Sequence, residues 1–94
     1  MAYTEKRLEQ IFCSKVKQKG GMAFKFVSPG MSGVPDRLVL LPEGKVAFAE
    51  LKAPGKKLSP KQAKLAKQME GLGHPVWVID GIDAIQAFLW EAFD

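Results

Sequence analysis

Between Thr4 and Lys19 the apolar residues Leu8, Ile11, Phe12 and Val16 recur at helical spacing, and Gly20-Gly21 closes the run. This predicts a first helix over Thr4–Lys19. From Met22 to Val27 the period drops to two, with Phe24 and Phe26 on one side and Lys25 on the other, which predicts a strand. A loop rich in Gly and Pro follows over 28–35 (SPGMSGVP). Two apolar runs, Leu38–Leu41 and Val46–Ala49, then flank Pro42-Glu43-Gly44 and predict a β-hairpin with its tip at the turn. Ala53 to Leu58 is a short basic loop. Ser59 reads as a helix N-cap, Pro60 as the first helical residue and Gln62 as the partner in a capping box. In that second helix Gln62, Leu65, Met69 and Leu72 share a face expected to pack on the sheet, and Gly71 and Gly73 end it. Pro75–Ile79 is apolar throughout and is expected to be a central or well-covered strand. A third helix is predicted over Ile82–Phe93, with Ile82, Ile85, Phe88, Leu89 and Phe93 on one side. The order αβββαβα, with a helix crossing between strands, predicts one α/β domain over 1–94: a small mixed sheet flanked by helices.

Composition narrows the class of protein. Ninety-four residues at 47% hydrophobic suffice for one modest core. No apolar run approaches the roughly 20 residues of a membrane span, and the N-terminus lacks a signal-peptide pattern. The single cysteine, Cys13, excludes an internal disulfide and fits a reducing cytoplasm. His74 has no second histidine to join it, and Trp90 falls outside the apolar stripe of its helix, as expected of a partner surface. The net charge of +4 is unevenly spread: Lys45 to Lys67 holds seven lysines and one acid, and Glu70 to Asp94 five acids and no cation. A basic face suits a polyanion, and it equally suits a solvated lysine surface.

The hairpin brings candidate chemistry together. With the tip at or just after Glu43, position 36 falls opposite position 50 or 51, and cross-strand Cβ atoms lie roughly 4.5–5.5 Å apart. Asp36 and Glu50 would then repel by about 3 kcal/mol at an effective dielectric near 20. A divalent cation on oxygen ligands is the usual remedy. Lys52 is two residues beyond Glu50 and so on the same face of a strand. A cation and an ammonium on one sheet face can stabilise a phosphoryl group under attack. Glu5 and Glu9 share a helix face, and either one could complete a ligand set or stand solvated. Gln62 could bond back to its cap or point at the site. No Gly-Lys-Ser/Thr follows the 28–35 loop or Gly55-Lys56-Lys57, which excludes a P-loop. The loop's glycines suit either a close approach by a sugar-phosphate backbone or a plain turn.

Gly33-Val34-Pro35-Asp36-Arg37, then Glu50-Leu51-Lys52, then Gln62, in this strand order, resemble the VRR-NUC (virus-type replication-repair nuclease) family of the PD-(D/E)xK superfamily, in its stand-alone phage and bacterial form. The likeness includes Lys25–Gly30 and Lys52–Lys57 and covers nearly the whole chain. It implies a PD-(D/E)xK restriction-endonuclease-like core that hydrolyses phosphodiesters in DNA. Asp36 and Glu50 would bind Mg²⁺ or Mn²⁺, Lys52 would be the catalytic lysine, and Gln62 matches the family's glutamine. A first-helix glutamate is also implied; Glu5 is slightly preferred to Glu9, because Leu8 three residues on fits the family's opening. The backbone carbonyl of Leu51 would be a further ligand. Lys25, Ser28, Gly30, Gly33, Arg37, Lys56, Lys57 and Lys61 would face the DNA. The resemblance further implies a homodimer acting on branched DNA, like a Holliday-junction resolvase, in the cytoplasm of a bacterial or phage-infected cell, with no organic cofactor and no membrane. A non-catalytic DNA-binding module, or a nuclease for flaps or other nucleic acids, is the rival reading.

Overall fold

Thr4 starts the first helix by capping it: its hydroxyl accepts the Arg7 N–H at 3.1 Å. The computed structural model describes residues 3–93, so residues 1, 2 and 94 of the expected 1–94 domain lie outside the described residues. Helix α1 spans Glu5–Gln18 and buries Leu8, Phe12 and Val16 completely. The strands are β1 (Met22–Lys25), β2 (Arg37–Leu40), β3 (Val46–Leu51) and β4 (Val76–Ile79). Helix α2 spans Pro60–Gly71 and α3 spans Ile82–Ala92. The order is αβββαβα, as the pattern predicts.

The β2–β3 hairpin turns through a single 3₁₀ turn at Pro42–Gly44, where the Leu41 N–H donates to the Lys45 carbonyl at 2.9 Å. Glu43 and Gly44 both take left-handed backbone, at φ 67 and 76°. The turn sets the register: Arg37 opposes Ala49 and Leu40 opposes Val46. One residue further along, Asp36 stands opposite Glu50. On the other side β1 pairs antiparallel with β2, and the Phe26 N–H extends that ladder to the Asp36 carbonyl at 2.7 Å. The second expected strand therefore begins and ends one residue early, and the first stops at Lys25 rather than Val27.

The sheet order is β1-β2-β3-β4, with β4 parallel to β3 after the α2 crossover. Of the two expectations for the last strand, central or well covered, the first is corrected: β4 is an edge. Its apolar run arises because Trp77 and Ile79 face the core while Val76 lies near α2; Val78 remains exposed. On the α1 and α3 side the core closes around Leu8, Phe12, Val16, Val39, Ala49, Leu51, Ile79, Ile85 and Phe88. Among the described residues the other face carries a single helix, α2, none of whose residues is fully buried. Leu72, expected on its packing stripe, is 80% exposed because the helix ends at Gly71 and the chain turns away there. Met22, Phe24, Leu40 and Val46 stay exposed on this second face.

Candidate active site

Strand alternation sends Asp36 and Glu50 to the α2 face, and the backbone holds each carboxylate. Glu50 Oε1 accepts the Asp36 N–H at 3.1 Å, and Asp36 Oδ2 accepts the Leu51 N–H at 3.0 Å. The two residues are thus cross-bonded through main-chain donors at the ends of adjacent strands. Glu50 is the one charged residue of the buried set among the described residues, at 1% exposure. Lys52 follows at the strand's end, half-buried, with its N–H on the Ile79 carbonyl at 3.0 Å.

Gln62 takes both of its expected roles at once. Its Oε1 accepts the Ser59 N–H at 2.9 Å and closes the capping box, while its Nε2 donates to Glu50 Oε2 at 3.0 Å. The helix start and the buried carboxylate therefore share one side chain. Gly33 sets how close α2 comes. It sits at φ 89°, and a Cβ there would lie 3.0 Å from the Lys61 carbonyl oxygen and 3.3 Å from the Gln62 nitrogen. The close approach at Gly33 is thus to the protein's own helix, not to a sugar-phosphate backbone. Gly33 positions the site, where the resemblance implies a residue that faces DNA; the signal for the packing role is a glycine between two elements that must touch.

Two further expected site residues lie away from this pair. Arg37 follows Asp36, so alternation turns it to the opposite face, under α1. There its Nη2 meets Glu9 Oε2 at 3.2 Å and its Nη1 donates to the Ala23 carbonyl at 3.4 Å. Its guanidinium is engaged there, on the sheet face away from Asp36 and Glu50, a placement that strand alternation predicts. Glu9 is engaged by that pair and Glu5 is exposed, so the first-helix glutamate does not join Asp36 and Glu50; among the described residues no third Asp, Glu, His or Cys completes a cluster. Of the other residues expected to face DNA, Lys25, Lys56, Lys57 and Lys61 are exposed, Gly30 has open space around it, and Ser28 is half-buried. Lys25 opposes Arg37 in register and so lies on the α1 face.

The electrostatics follow from this placement. Burial, then the neighbouring Asp36 carboxylate, push the Glu50 pKa from 4.5 up to about 7, against a smaller opposing pull from Lys52. The folded protein therefore holds a proton on Glu50 that the unfolded chain releases between those two values. Glu50's contribution to stability is therefore full below pH 4.5 and is lost as pH rises towards 7. At 1.36 kcal/mol for each pH unit the loss is about 3 kcal/mol. In EDTA we expect the melting temperature to drop by on the order of 10 °C between pH 5 and pH 8. Glu50→Gln should flatten that profile; an unchanged slope in the variant would show that another group controls it.

Comparison with known proteins agrees with the fold. The family model described as "VRR-NUC domain" matches residues 2–83. The chain is 51% identical over 79 residues to "Putative nuclease p44" of Acyrthosiphon pisum secondary endosymbiont phage 1, covering 84% of this chain and 85% of that protein. A solved structure described as "VRR_NUC domain" superposes with a TM-score of 0.88 at 26% identity, covering 97% of this chain and all of the other.

Proposed function

The chain belongs to the VRR-NUC domain family of nucleases, and from that premise we propose that it is a Mg²⁺- or Mn²⁺-dependent DNA endonuclease that cuts branched DNA as a homodimer. The observation that carries this reading is the pair of cross-bonded carboxylates, one of them buried, with Lys52 and Gln62 beside them. The donor set fits a hard divalent cation: two carboxylates that repel each other gain most when an ion shared by oxygen ligands offsets their charge. Asp36 and Glu50 would hold it, with the Leu51 carbonyl as a further oxygen donor. When bound, the ion supplies Lewis-acid polarisation of the phosphate and lowers the pKa of water.

The chain's own residues do the rest. The Leu51 and Asp36 N–H groups hold the two carboxylates in place, so no reorganisation is needed when substrate arrives. Gln62 keeps Glu50 from rotating away by donating to its second oxygen. Lys52 orients the attacking water and offsets the charge that grows on the phosphate oxygens. The exposed Lys56 and Lys57 lie on the loop after Lys52, Lys61 directly precedes Gln62, and all three attract the DNA backbone. Two copies supply the two cuts that symmetric resolution of a junction needs. The apolar side chains left open at Met22, Phe24, Leu40 and Val46 suit a second copy's cover, and Trp90, 75% exposed on α3, offers another apolar surface.

A nicking assay on four-way, flap and linear DNA, with and without divalent ion, tests the reading. Wild type should cut branched DNA fastest and nothing in EDTA. Lys52→Ala should lose about a hundredfold in rate, the usual effect of removing one electrostatic stabiliser. DNA binding without cutting under every ion would establish a non-catalytic binding module instead.

A further inference from the structure

Beside the proposed active site a groove of about 350 Å³ runs between the 28–35 loop and α2, lined by Met31, Ser32, Lys61, Lys64, Leu65 and Gln68. Its volume lies in the range of sites for small organic ligands, roughly 300–1,000 Å³. Met31 is apolar yet 54% exposed, and a turn holds it in place, its N–H donating to the Ser28 carbonyl at 3.3 Å. On the helix side half-buried Leu65 supplies a second apolar surface. Lys61 and Lys64 are exposed, and Gln68 adds an amide that both donates and accepts. The groove is coupled to the site: Gly33 lies against Lys61 and Gln62, and Gln62 bonds Glu50.

A surface that only tracked phosphates would need the lysines but neither Met31 nor Leu65. Apolar surfaces, two cations and an amide together match a nucleotide. A base offers flat apolar faces and a polar edge, and its phosphate carries the charge. Methionine sulfur packs well on aromatic rings, methionine recurs as a wedge between base steps, and unstacked bases are read by stacking and by hydrogen bonds along their edges. We propose that this groove receives one unpaired nucleotide of the DNA next to the phosphate that is cut. The inference rests on the nuclease reading and deepens it. A paired base must be unstacked to enter, at a cost that is least where the base has already lost its partner. The groove thereby makes an unpaired nucleotide a determinant of substrate choice.

The test uses three DNAs: a duplex with one bulged nucleotide, the same duplex with that nucleotide abasic, and a fully paired duplex. Wild-type protein in EDTA should bind the bulged duplex about tenfold more tightly than the abasic one, and 2-aminopurine at the bulge should change its fluorescence on binding. Met31→Ala and Gln68→Ala, both at exposed side chains, should bring that ratio towards one at an unchanged melting temperature. Equal binding of bulged and abasic DNA by wild type, or a tenfold ratio kept by both variants, overturns the proposal. Wild-type cutting of the three DNAs with Mn²⁺ is measured alongside. The four-way junction serves as the cutting control: if it is cut while the ratio is absent, only the groove's role fails; if neither it nor the three duplexes are cut, the nuclease reading fails and takes the groove with it.

Discussion

Replacing Asp36 with Asn is expected to lower metal-dependent cleavage by about a thousandfold while raising the melting temperature in EDTA at pH 8. The two effects share one cause. Asn keeps the shape of the side chain and a carbonyl oxygen for the Leu51 N–H, which Asp36 Oδ2 accepts at 3.0 Å. What it removes is one of two negative charges beside the buried Glu50 carboxylate. On the proposed reading the cation would lose a main ligand with that charge, and Lewis-acid stabilisation worth several kcal/mol would go with it. About 4 kcal/mol corresponds to a thousandfold in rate. In the absence of metal the same charge only repels Glu50, by up to about 3 kcal/mol at 5 Å and an effective dielectric near 20. Its removal should therefore stabilise the apo protein by about 1–3 kcal/mol, or about 5–20 °C for a domain of this size. Loss of activity together with a lower melting temperature would make Asp36 a structural residue and sink the metal assignment.

Phe88→Ala should produce the largest loss of stability. Phe88 is fully buried on α3, with its ring 5.1 Å from Phe12 on α1 and 5.4 Å from Trp77 on β4. It thus joins both helices of the closed face to the sheet. Truncating a buried phenylalanine costs about 3–5 kcal/mol through lost transfer energy and the cavity left behind. A chain of 94 residues is stable by roughly 5–14 kcal/mol in all, at 0.05–0.15 kcal/mol per residue. The variant should melt about 15 °C or more below wild type, and at low temperature its folded fraction should still cut. Trp90→Ala, at 75% exposure on the same helix, should shift the monomer's stability by less than about 0.5 kcal/mol. Thermal melts of the two variants side by side decide this, and equal shifts would overturn the assignment of Phe88 to the core.

The corrections share a pattern. The resemblance implies that Arg37 faces DNA, yet a strand turns successive side chains to opposite faces, and its guanidinium pairs with Glu9. Gly33 suits either a close approach by a sugar-phosphate backbone or a plain turn, and the fold sets the first turn of α2 against it. The apolar run of β4 reads as a central strand because its two apolar faces are local to the sequence, whereas its free edge is not. Gln62 presented a choice between helix cap and site, and the fold removed the choice by using its two amide atoms separately.

What the sequence determined by itself are the features whose cause lies within a few residues. These are the helical stripes, the Thr4 and Ser59 caps, and the three-residue turn that puts position 36 opposite position 50. A tight turn leaves a hairpin little freedom of register, so a contact fourteen residues apart could be read locally. Only the tertiary structure decided which face each helix covers, which strand is the edge, how deeply Glu50 is buried, and which cation Glu9 meets. Those outcomes depend on the competition of distant segments for one buried surface, and no local spacing encodes its winner.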